Sequence, residues 1–296
     1  SDLDGKNRKL LLAGTGNENA NMSLVVSPDG KRAAFVSTRD NFRDASGYLL
    51  MALTIISIET GTSTVVDHAE QIQLVDWLDN RLIYRTTVAG ADITDSQRNR
   101  LVSLNYETNS RAQLATASQF NTILSVKGLV YYGVSSTDPS ASLGLFRIKP
   151  DGSERKQLSD KEVWTGLRAT YASLNIQTPE GWYSYNLGSD GLSAMESPAN
   201  ITSYVFVDDP KAEHSAWTDV RDGRGTLLLY DIQKGTQTIL KSQEGLSAPL
   251  RWVSSGAIVY RVSASGEAAD YVISPDGGEA HKIADVTPVA GYTQAY

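Results

Sequence analysis

Short apolar runs rich in β-branched and aromatic residues recur along this chain, each closed by a tight polar turn. "LVV" leads into Ser27-Pro28-Asp29-Gly30 and then "KRAAFVST" at 31–38. "LVDW" leads into "LDN" and "RLIYRTT" at 81–87, and "LRWV" into "SSG" and "AIVYRVS" at 257–263. Each is a strand, a turn and a second strand. Asp-Gly, Asp-Asn and Ser-Gly suit such turns because they tolerate positive φ or cap the turn with a side chain.

A second turn type follows each hairpin. "ISIETGTSTVV" (56–66), "VSLNYETNSRAQL" (102–114), "LFRIKPDGSERKQL" (145–158), "LLLYDIQKGTQTIL" (227–240) and "YVISPDGGEAHKI" (271–283) share it. These turns fall near 61, 109, 152, 190, 234 and 277, a period of roughly 40–50 residues that matches a four-stranded propeller blade. The pattern predicts an all-β, six-bladed propeller in one domain over 1–296. Its four-stranded antiparallel blades span about 21–67, 70–115, 121–158, 163–196, 201–241 and 247–284. Residues 1–16 read as one more closing strand and 287–296 as one more inner strand. The ends would then help to close the ring, and seven blades with a composite closing blade is the alternative. Helical periodicity is nearly absent, which argues against an α/β enzyme.

Composition narrows the picture. The chain has 296 residues, 41% of them hydrophobic, enough to build a large core. The net charge of −7 and the lack of a basic stripe exclude the usual nucleic-acid binder. No cysteine is present, so thiolate nucleophiles, Cys-ligated zinc and disulfides are excluded. The longest apolar cluster, "YLLMALTII" at 48–56, is strand-sized and too short to span a bilayer. Ser1 reads as a boundary, beyond which an upstream signal or anchor would lie.

"SPDGKRAAFVSTRDN" and "LFRIKPDGSERKQLS" resemble the WD40-like repeats of TolB-type propellers. They are also similar to the propeller domains that precede the hydrolase domain in prolyl-oligopeptidase and dipeptidyl-peptidase-type proteins. The likeness covers nearly the whole chain. The fourth unit departs from the pattern, the fifth replaces the first turn with "DDPKAEH", and the Trp-Asp ending of true WD40 repeats is missing. The resemblance implies a propeller used for protein binding, often exported or associated with the bacterial envelope, and therefore periplasmic, extracellular or envelope-bound.

Candidate chemistry is sparse. No G-x-S-x-G elbow and no phosphate-binding glycine loop occur. His68, His214 and His281 lie in different units, and they read as single histidines rather than a metal site. No cofactor is expected. "STRDNFRDASG" (37–47), "AGADITDSQRNR" (89–100) and "TDVRDGRGT" (218–226) each join the second and third strands of a unit. Strand alternation puts them on one propeller face, opposite the turns at 28–30, 79–80 and 254–256. Read as solvated loops they carry weak surface Asp–Arg pairs; as a binding face they carry Arg39, Asp40, Phe42, Arg43, Asp92, Asp95, Arg98, Arg221 and Asp222, because long loops on a rigid scaffold carry recognition. Trp164, near a blade-to-blade connection, is a further candidate. Trp77, Trp217 and Trp252 read as packing between blades.

The expectation is therefore a non-catalytic module that binds a protein or peptide, with no nucleic acid and no membrane insertion by this segment. The alternatives are a substrate-gating propeller of a larger serine peptidase and a lyase or hydrolase working at a central channel.

Overall fold

The computed structural model describes residues 9–18, 24–88, 93–136, 141–170, 172–197, 206–209, 211, 213–253 and 256–286. These residues form six four-stranded antiparallel sheets, each built from one contiguous stretch of chain. The first holds β1 (Leu24–Val26), β2 (Arg32–Ser37), β3 (Met51–Ser57) and β4 (Ser63–Ala69). The second holds β5 (Gln71–Leu78), β6 (Arg81–Thr87), β7 (Asn99–Asn105) and β8 (Ser110–Ala117), with a single turn of helix, α1 (Asp95–Arg98), before β7. The third holds β9 (Gln119–Val126), β10 (Leu129–Ser135), β11 (Gly144–Ile148) and β12 (Lys156–Ser159). The fourth holds β13 (Thr165–Thr170), β14 (Ser173–Thr178), β15 (Gly181–Asn186) and β16 (Gly191–Met195). The fifth holds β17 (Val207–Asp208), β18 (His214–Arg221), β19 (Arg224–Asp231) and β20 (Thr236–Gln243). The sixth holds β21 (Leu246–Trp252), β22 (Ile258–Ala264), β23 (Glu267–Ile273) and β24 (His281–Asp285). The all-β class with six four-stranded blades is as the turn repeat predicts.

The turns show why the sequence folds this way. All six second turns place a residue at positive φ: Gly61, Asn109, Gly152, Asp190, Gly235 and Gly277. Lys127-Gly128, Asp222-Gly223 and Ser265-Gly266 have both central residues at positive φ, the turn whose twist matches the strands it joins.

The chain divides into two compact units. The larger comprises residues 11–167, 173–199 and 295–296, and the smaller 1–10, 168–172 and 200–294. Within the larger unit the apolar core lies between successive blades. Leu53 and Val36 of the first sheet pack with Trp77, Tyr84 and Leu104 of the second. Ile83 and Leu101 meet Phe120, Tyr132 and Phe146. Tyr131 and Leu145 meet Leu174, Ile176 and Tyr185. In the smaller unit, Leu227 and Leu229 pack with Ile258, Tyr260 and Ile273. Each such side chain contributes about 1.5–3 kcal/mol of burial, so each blade is stabilised by its neighbour. Residues 9–18 form no strand; Leu11 and Leu12 instead pack on Ala33, Phe35 and Ile56. The reading of 1–8 and of 287–296 as strands lies outside the described residues.

Polar ties reinforce the packing. Asn121 Nδ2 donates to the Val163 carbonyl at 2.8 Å, and Thr122 Oγ1 to the Gly166 carbonyl at 2.9 Å. Asp190 accepts from Arg147 and from Lys156, both at 2.8 Å, and from the Tyr185 hydroxyl. Lys156 first, then Tyr185, holds the Asp190 carboxyl below the ordinary carboxylate range. In the smaller unit, Arg168 forms a two-bond pair with Asp208 at 2.9 and 3.0 Å. Trp252 Nε1 there donates to the Val207 carbonyl at 2.8 Å.

Candidate interaction surface

The connection between β2 and β3 is long, and its own side chains shape it. Asp44 Oδ1 accepts the Ser46 and Tyr48 amides at 2.9 and 2.8 Å. Arg43 donates to the Gly47 carbonyl at 2.8 Å and to Asn41 Oδ1 at 3.3 Å, and it pairs with Leu49 in an isolated antiparallel bridge. Asn41 holds positive φ at the start of the loop. An Asx-type turn and a guanidinium staple therefore replace strand pairing. This frame carries Tyr48, which is 70% exposed, beside exposed Leu49 and Phe42.

Phe42 has a neighbour that sequence reasoning did not find. Its ring stacks on His68 of β4, with centroids 5.3 Å apart and planes 10° apart. His68 lies near the end of β4. Arg39 turns the other way. Its guanidinium donates to the Ala13 carbonyl at 3.1 Å, its own carbonyl accepts from Thr15 Oγ1 at 3.0 Å, and Asp40 lies 4.0 Å from its Nε. Together with the Thr38 bond to the Asn17 carbonyl, these contacts tie residues 13–17 to the loop.

Asp95 and Arg98 stand exposed on α1, in the β6–β7 connection. The Arg98 carbonyl accepts the Val88 amide at 2.9 Å, which closes that loop on itself. Asp92 lies outside the described residues. Among the described residues, no hydrogen bond or ion pair joins this loop to the β2–β3 loop. In the smaller unit, Arg221 pairs with Asp219 at 3.4 Å, and exposed Asp222 forms the β18–β19 turn. Trp164, half-exposed, sits between β12 and β13 with its amide bonded to the Gln177 carbonyl at 2.8 Å.

Two further features were missed in the sequence. A groove of about 570 Å³ runs between the outer strands of the first two blades, lined by Arg32, Thr64, Val65, Tyr106 and Arg111 among others. Arg32 lies over the Tyr106 ring at 4.2 Å, and Arg111 donates to the Val66 carbonyl. The other feature is the β17–β18 hairpin, where Asp209, Glu213 and His214 converge. The D-x3-E-H spacing inside "DDPKAEH" is the signal that could have found it.

No family model and no curated protein matches the chain by sequence. Solved structures place it in a class, that of the β-propellers. The β-propeller domain of the Trilobed protease from Pyrococcus furiosus, which has an open velcro topology, aligns over 94% of this chain and 82% of that one, with TM-score 0.58 and 13% identity. The acylaminoacyl peptidase of Pyrococcus horikoshii aligns over 91% of this chain and 45% of that one, with TM-score 0.57 and 14% identity. TolB from Acinetobacter baumannii matches over 90% of this chain with TM-score 0.45 and 12% identity. The chain spans 63% of the TolB chain and under half of the peptidase's. The resemblance to peptidase propeller domains found in the turn motifs thus recurs at the level of fold. No helix among the described residues is long and apolar enough to cross a membrane.

Proposed function

We propose that the chain is a non-catalytic propeller module that binds a protein or peptide through the β2–β3 loop. The observation that carries this reading is the pinned loop. Asp44 and Arg43 fix its backbone, while Tyr48, Leu49 and Phe42 stand at the surface. A preorganised loop loses little entropy on binding, and exposed aromatics beside arginine are the usual anchors of an interface. Arg98 and Asp95 on the β6–β7 connection would extend the contact. The missing G-x-S-x-G elbow supports a non-catalytic role. The TolB-type turn motifs support an exported, envelope-associated setting.

A second reading is the substrate-gating propeller of a larger serine peptidase. It is favoured by the alignment with a peptidase of which this chain covers 45%. Photocrosslinking tests the loop assignment. In its native cells, a protein carrying Tyr48→p-benzoylphenylalanine should give a discrete adduct that Thr108→p-benzoylphenylalanine, on a β7–β8 turn, does not. Adducts from 108 and none from 48 would overturn the loop assignment. Hydrolysis of a chromogenic peptide by the purified chain, lost on one point substitution, would overturn the non-catalytic reading.

A further inference from the structure

We propose that Asp209, Glu213 and His214, in the hairpin between β17 and β18, form a site for a divalent ion of the Zn²⁺ or Mn²⁺ type. The backbone sets it up. Asp209 Oδ1 accepts the Glu213 amide and Oδ2 the His214 amide, each at 2.9 Å. The same Oδ2 lies 3.1 Å from His214 Nδ1. One ligand atom from each of the three residues then lies within 4.8 Å of the others. Ligand atoms around a tetrahedral ion at about 2.1 Å stand roughly 3.4 Å apart. The exposed Glu213 side chain would rotate to close that difference.

The surroundings favour a cation. Asp231 is the register partner of His214 across the β18–β19 ladder and adds a third carboxylate to this part of the unit. Lys234 is committed to Asp231 at 2.8 Å, and Lys211 is exposed in the same hairpin. The Asp209 side chain is only 9% exposed, so its charge is poorly screened by water. The Trp252 ring, 6.2 Å from the His214 ring, walls the site on one side. An imidazole among two carboxylates selects zinc, manganese or iron over calcium and magnesium, which prefer all-oxygen shells. Three protein ligands leave the fourth position of a tetrahedral ion open, on the side of exposed Glu213. The proposal does not depend on the role of the β2–β3 loop.

The test uses untagged, chelator-stripped protein titrated calorimetrically with ZnCl₂ and with MnCl₂. One ion per chain is expected, with a micromolar dissociation constant for Zn²⁺. Glu213→Gln and His214→Ala should each weaken it at least tenfold. Both leave the Asp209 bonds to the backbone in place, so the hairpin is retained. Because the chain has three histidines, substoichiometric Mn²⁺ should broaden the His214 ring protons in NMR spectra and spare those of His68 and His281. Absence of one-to-one binding below millimolar ion, or affinity unchanged in both variants, would overturn the proposal.

Discussion

Replacing Asp208 by Asn is the sharpest probe of how the smaller unit is held. Asp208 accepts both terminal nitrogens of Arg168, at 2.9 and 3.0 Å, and the Ser215 hydroxyl at 2.6 Å. The Arg168 side chain is 6% exposed and lies over the Phe206 ring at 4.7 Å. Removing one charge from a buried pair costs about 3–5 kcal/mol, because the other charge stays behind without its counterion. Asp208 is 22% exposed, so water relieves part of this. The lower end, about 3 kcal/mol, is expected. The double variant Arg168→Met, Asp208→Leu removes both charges and should cost only about 0–2 kcal/mol. Urea unfolding followed by tryptophan fluorescence reads this directly, since Trp217 stacks on Phe206 and Trp252 is bonded to Val207. With a slope of about 2–3 kcal/mol per molar urea, the midpoint of Asp208→Asn should fall by about 1–1.5 M. A shift below about 0.3 M, or a double variant as unstable as the single, would refute the argument from burial.

Gly225→Ala should be among the most damaging single changes. A Cβ there would lie 2.4 Å from the Gly245 carbonyl oxygen, the acceptor of the Gly225 amide, and thermal melting should drop by several degrees; an unchanged melt would show that the β19–β21 approach can widen. Stability should also fall in alkali. Burial holds Tyr84, Tyr185 and Tyr260 above the ordinary phenol range, Tyr260 at about 12, with Asp67 and Asp190 adding to the effect on the first two. The native state then keeps protons that the unfolded chain releases above pH of about 10, so stability is intact below that pH and declines as pH rises through the folded values. Urea midpoints flat from pH 9 to 11.5, or a slope unaffected by Tyr260→Phe, would contradict this.

The blades were legible because their information is local. A turn that needs positive φ shows itself in two or three adjacent residues, as at Gly61, Asn109 and Gly277. The fourth unit departs from the pattern in sequence, yet β13 forms, with Arg168 contributing through its ion pair rather than through hydrophobicity. The site was less legible because it depends on distant partners. Arg39, read as a surface contact, is engaged by Ala13 and Thr15, and Phe42 by His68. No spacing rule joins residues 26 positions apart. The closing strand expected over 1–16 is absent from 9–16, where Leu11 and Leu12 lie against the first blade.

The blade-to-blade ties share a length scale. Asn121 reaches 42 residues ahead, Thr122 44, Arg147 43, Arg168 40 and Trp252 45 back. Each spans about one repeat. Within each unit the energetics therefore approximate a one-dimensional chain with nearest-neighbour coupling. A lesion in one blade should weaken its immediate neighbour and fade beyond it. Substitutions two blades apart should add nearly independently, which leaves a single loop free to diversify without disturbing the rest of the scaffold.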